Sequence, residues 1–93
     1  MTPADVGRVP VSDFFGIEVA MSRSEGSPPH FHARYDRHEA LVAIETLEFV
    51  DGWLPRRAYA LVLEWAAQHR AELRANWDRA RQGAPLERIV PLE

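Results

Sequence analysis

Apolar and polar residues alternate through the first half of the chain and recur at helical spacing through the second. Phe15, Ile17, Val19 and Met21 fall on one side of a period-two pattern, with Gly16, Glu18, Ala20 and Ser22 on the other, which predicts a strand over residues 15–22. Ser24-Glu25-Gly26-Ser27-Pro28-Pro29 reads as a turn, because the two prolines fix φ and push their predecessors toward extended geometry. Alternation resumes over residues 30–36, with Phe31, Ala33 and Tyr35 opposite His30, His32, Arg34 and Asp36. Asp36-Arg37-His38 makes a short hairpin loop, and residues 39–45 a third strand. Both faces of that strand are apolar, which suits a central position. Thr46-Leu47 turns the chain into a short strand over residues 48–50, and Asp51-Gly52 closes the sheet.

Glycine and proline are then absent from Arg56 to Gln82, and good helix formers dominate. The pattern predicts a helix over residues 55–82, with Leu54 as N-cap, Pro55 in the first turn, and Gly83 and Pro85 as the stop. A straight helix of that length would run ~40 Å, beyond the reach of a small sheet, so a bend or break is expected between Gln68 and Ala71. Ala58, Val62, Trp65, Ala66, Leu73, Trp77 and Ala80 share one apolar sector, which His69 and Asn76 interrupt. Residues 86–90 are expected to add an edge strand or an extended segment. The expected architecture is a single α+β domain over residues 14–93 with an N-terminal arm over residues 1–13. In it, a three- to four-stranded antiparallel meander packs against one long, bent or broken C-terminal helix.

Composition narrows the chemistry. The 93 residues allow one domain. There is no cysteine, and all 11 basic residues are arginine. Disulfides, thiolate metal sites and catalytic lysines are thereby excluded. The net charge of −3 hides an asymmetry. Residues 1–54 carry four arginines and nine acids, whereas residues 55–82 carry six arginines and three acids. Internal complementarity between an acidic sheet half and a basic helix half is the simplest reading. No apolar run is long enough to span a membrane, and the first ten residues do not form a secretory signal, so a cytoplasmic location is expected.

The most specific local feature is Pro28-Pro29-His30-Phe31-His32-Ala33. Residues two apart on a strand share a face, so the two imidazoles point the same way, as two ligands of one metal ion or a proton-transfer pair would. His69, His38, Glu25 and Glu39 are the candidates for a third ligand, although Glu25 by itself reads as a solvated loop residue. No cofactor is expected other than a divalent metal at His30 and His32. Arg56, Arg70, Arg74 and Arg81, with Arg57 and Arg79, form a basic row suited to a solvated face, an acidic protein partner or, less well, nucleic acid.

Phe14-Phe15-Gly16-Ile17, Met21, the run at 28–33, Tyr35, Glu39-Ala40, Ile44 through Glu48, Gly52 through Arg57, Glu64-Trp65-Ala66 and His69 through Trp77 resemble a family of small prokaryotic proteins, domain of unknown function 4160. The resemblance spans residues 9–92. The chain departs from the family in its first turn, where the usual aspartate is Glu25 and the usual histidine is missing. The resemblance implies a standalone α+β domain. It also implies a partner of the type called domain of unknown function 2442 and a toxin–antitoxin setting, with no established reaction. Carried over residue by residue, its polar positions are His30, His32, Arg56, Glu64, His69 and Asn76. Two functional expectations follow. The first is a protein-interaction module of a toxin–antitoxin-like pair, binding through Arg56, Glu64, Arg70, Arg74 and Asn76. The second is a histidine-dependent ribonuclease or metal-assisted hydrolase using His30, His32 and His69.

Overall fold

Phe15 and Gly16 both take positive φ, 50° and 80°. That pairing gives a two-residue loop whose twist matches the strands it joins. It links β1 (Arg8–Phe14) to β2 (Ile17–Ser22) in the computed structural model, which describes residues 7–93. A second two-residue loop, with Asp36 at φ 55°, links β3 (His30–Tyr35) to β4 (His38–Ala43). β5 (Phe49–Gly52) completes a five-stranded antiparallel sheet in the order β1-β2-β3-β4-β5.

The sheet therefore has one strand more than the three or four expected. The additional strand is β1, in the segment expected to be a loose arm; residues 1–6 of that arm lie outside the described residues. A bulge between Pro10 and Ser12 breaks its pairing with β2, so the period-two signal is interrupted mid-strand. Pro10 is tolerated because β1 is an edge strand. Phe15 is also displaced from its expected role. It occupies the loop and is 58% exposed, while Ile17, Val19 and Met21 enter the core.

The expected single helix is two: α1 (Arg56–Gln68) and α2 (Arg70–Arg81), separated at His69. The break falls within the interval where a bend was expected. Pro55, not Leu54, is the N-cap of α1, and Leu54 is buried instead. The break lets α2 turn across the end of the sheet rather than overshoot it. There the Trp77 ring lies 5.3 Å from His30, Arg70 Nε donates to the Ile44 carbonyl at 3.2 Å, and Arg74 pairs with Glu45. The basic face of α2 is thus joined to the acidic end of β4.

The apolar sector of both helices is buried as the spacing predicts. Trp65 is at its centre, with ring centroids 5.4 Å from Phe14 and 6.0 Å from Phe31. Burying a tryptophan removes roughly 150–250 Å² from water, about 4–6 kcal/mol before entropy is counted. The C-terminal segment is extended and not a strand. The Ile89 N–H donates to the Val11 carbonyl at 2.8 Å, and Trp65 Nε1 donates to the Val90 carbonyl at 2.8 Å. Asn76 explains its place in the apolar stripe here. Its Nδ2 donates to the Glu87 carbonyl at 2.8 Å, and its Oδ1 accepts from the Glu87 N–H at 2.9 Å.

Candidate metal centre

The strand pleat places Phe31 and Ala33 toward the helices and His30, His32 and Arg34 on the opposite face. Neighbouring strands contribute Ala20 from β2 and Glu39 and Leu41 from β4 to that face, through the pairs Ala20↔His32, His32↔Leu41 and Arg34↔Glu39. Both imidazoles are nevertheless buried, with side chains 8% and 4% exposed. Trp77 borders His30, and the loop between β2 and β3 brings Glu25 back onto both rings.

The contacts define the chemistry. His30 Nδ1 lies 2.8 Å from the Pro28 carbonyl oxygen, which can only accept, so that nitrogen carries the proton. In the neutral ring the other nitrogen, Nε2, is then a lone pair, and it stands 3.0 Å from Glu25 Oε1. His32 Nδ1 lies 3.2 Å from Glu39 Oε2, and its Nε2 lies 2.6 Å from the same Glu25 oxygen. Two imidazole nitrogens and one carboxylate oxygen therefore converge on one point. Such a contact is favourable only with positive charge between the atoms, supplied by protons or by a metal ion. The three donor atoms all lie within 4.8 Å of one another.

Two of the surrounding carboxyls respond to this. Burial pushes Glu25 up, but hydrogen bonds from His32 and His30 and their charges outweigh it and hold the carboxyl below its ordinary value. Burial likewise pushes Glu39 up, while the Arg8 guanidinium, through hydrogen bond and charge, and then His32 pull it below the ordinary value. Arg8 Nη1 donates to Glu39 Oε1 at 2.8 Å, and Arg34 Nε stands 3.7 Å from the same oxygen.

The other expected site residues lie elsewhere. His69, between the helices, pairs with Glu72 at 2.6 Å and packs against Trp65; it does not join His30 and His32. His38 packs against Trp53 with centroids 4.8 Å apart. Arg56 is exposed beside Trp53, Leu54 and Tyr59, and Glu64 is exposed on α1. Arg70, Arg74 and Asn76 are engaged within the chain, as described above. Of the four candidates for a third ligand, Glu25 is the one brought to both histidines, and Glu39 stands behind His32. Arg8 was missed entirely. It is 31 residues from Glu39, and only the unrecognised strand β1 brings the two together.

A family described as domain of unknown function (DUF4160) matches residues 16–78, a stretch that includes Glu25, His30, His32 and Glu39. No curated protein matches the chain, and no solved structure does. No helix among the described residues is long and apolar enough to cross a membrane.

Proposed function

We propose, for a chain that belongs to the DUF4160 family, that Glu25, His30 and His32 bind a divalent transition-metal ion and that the domain acts as a metal-assisted hydrolase. One observation carries this reading. Both ring nitrogens facing Glu25 Oε1 are backed by a fixed partner on the far side of the ring, Pro28 O for His30 and Glu39 for His32. Metal-bound histidines are held in this way, because the outer hydrogen bond sets the tautomer and raises the basicity of the ligating nitrogen. A tetrahedral ion with bonds of ~2.0–2.1 Å keeps its donors ~3.3 Å apart. The observed separations of 3.0 and 2.6 Å from Glu25 Oε1 need to widen only a little. The Glu25 side chain is 38% exposed and sits on a loop, so it is the donor that can move. Two histidines and one carboxylate leave a coordination position for water, whose proton the ion makes acidic near neutral pH.

Titrating the purified protein with Co²⁺ tests this. Stoichiometric uptake with a d–d absorption band is expected, lost in His30→Ala and His32→Ala and weakened in Glu25→Gln. Folded protein that takes up neither Co²⁺ nor Zn²⁺ at micromolar concentrations would refute the reading.

A second reading, a docking module for a small cognate protein in a toxin–antitoxin-like pair, draws support from a different surface. The arginines of α2 are engaged internally, but Val50, Trp53 and Tyr59 are 50%, 60% and 39% exposed around the start of α1, beside Arg56. Co-expression with an adjacent reading frame product should then give a complex that Trp53→Ala weakens at least tenfold. A complex indifferent to Trp53 would refute docking at this surface.

A further inference from the structure

Beside His32 the open sheet face is hollowed into a basin of about 200 Å³, lined by Arg8, Pro10, Glu18, Ala20, His32, Arg34 and Glu39. Its floor is low because Pro10 and Ala20, paired across β1 and β2, carry small side chains. We infer that this basin receives a phosphodiester, placing its phosphate between the Glu25–His30–His32 ion and the guanidinium groups of Arg8 and Arg34. The inference rests on the metal reading and adds the substrate class to it.

Three observations support it. First, His32 links the two places: one ring nitrogen faces Glu25 and the other faces Glu39, which lines the basin. Second, Arg8 is held in place without being used up. One of its five N–H donors goes to Glu39, and that bond fixes the guanidinium over the basin before a ligand arrives. Arginine suits this task because its planar fork matches two phosphate oxygens at once. Third, the charges favour a monoanion. A divalent ion, Arg8 and Arg34 bring four positive charges, whereas Glu18, Glu25 and Glu39 bring three negative ones, all among the described residues. A diester phosphate carries the single negative charge that balances them. Hydrolysis there consumes one water. Its oxygen forms the new P–O bond and the bond to the departing ester oxygen breaks with its electron pair. The proton from the metal-bound water ends on that departing oxygen.

The test uses the Zn²⁺-loaded full chain with bis(p-nitrophenyl) phosphate and, in parallel, a short single-stranded RNA. The expected result is release of p-nitrophenolate, with KM raised ~10-fold or more in Arg8→Gln, the size of losing one charged hydrogen bond. Metal uptake in that variant should equal that of the wild type. Arg34→Gln, at a half-exposed position, gives the second variant should Arg8→Gln fail to fold. Cleavage of the RNA as well assigns the diester to a nucleic-acid backbone; cleavage of the small diester alone assigns it to a small molecule. Normal metal uptake without cleavage of either substrate would overturn the inference and leave the metal site standing. An unchanged KM in both arginine variants would also overturn it. Failure to bind metal would overturn both.

Discussion

Asn76→Ala removes the two hydrogen bonds that hold the C-terminal segment to α2. The side chain is 1% exposed and bonds both backbone groups of Glu87, at 2.8 and 2.9 Å. Each bond contributes about 0.5–1.5 kcal/mol net, so the variant should lose about 2 kcal/mol. For a domain of this size that corresponds to a fall in Tm of ~8–16 °C. Urea unfolding followed by tryptophan fluorescence measures it directly, since Trp65 and Trp77 are both buried. Deleting residues 87–93 supplies the control. The truncation removes the same bonds and also the burial of Ile89 and the Trp65 bond to Val90. Asn76→Ala should therefore cost little more in the truncated chain, and the cycle should show a coupling of about 2 kcal/mol. A full-length variant within ~0.5 kcal/mol of wild type, or equal losses in both backgrounds, would refute the view that Asn76 acts by anchoring this segment.

Two further predictions concern acid and backbone. Glu25 is held below its ordinary value in the folded protein, so its stabilising contribution is present above the unfolded value near ~4.3 and is lost as pH falls through the folded one. Metal-free wild type should lose urea stability more steeply than Glu25→Gln as pH drops from ~5 toward 3; parallel curves would refute the His30–Glu25–His32 contact. Gly52→Ala places a Cβ at φ 80°, overlapping the Glu39 carbonyl oxygen, and should cost at least about 2 kcal/mol. Gly83→Ala has a similar φ of 74° but open space around it, so it should cost about 1 kcal/mol, and equal losses in the two variants would show that the clash with β4 is not the cause.

Local signals made most of the elements legible. β2, β3 and β4 follow from alternation, and the buried faces of α1 and α2 follow from helical spacing, because one side of each element meets a single core. β1 was not legible for a local reason: the bulge between Pro10 and Ser12 shifts the pattern by one residue within a strand of seven. The break at His69 was approached through length alone, since no proline or glycine marks it; its cause is tertiary, the turn of α2 onto the end of β3 and β4. The site was half legible. His30 and His32 sit two apart on one strand, and their common face follows from that spacing. Glu25 could not be placed from its sequence context, because a carboxylate in a Ser/Gly-rich turn has the same appearance whether it faces solvent or folds back. Arg8 depended on an element that the pattern concealed.

The run from Pro28 to Ala33 joins fold and site in a way that neither shows separately. The Pro28 carbonyl takes the His30 Nδ1 proton, and the Pro29 carbonyl accepts the Ile44 N–H at 3.0 Å, extending the β3–β4 pairing beyond His30. Proline has no N–H, so both residues offer the backbone only as acceptors at this entrance to the strand. Phe31 then packs on Trp65, and Ala33 fits beneath the helices on the same face. The residues that seal the core thus alternate one by one with the residues that face Glu25. A slip of one position in β3 would exchange them, placing two imidazoles in the apolar core and a phenyl ring over the carboxylates. The cost of that exchange falls on core and site together. The register of β3 is therefore set on both faces, and His30 and His32 are held on rigid backbone, as metal ligands require.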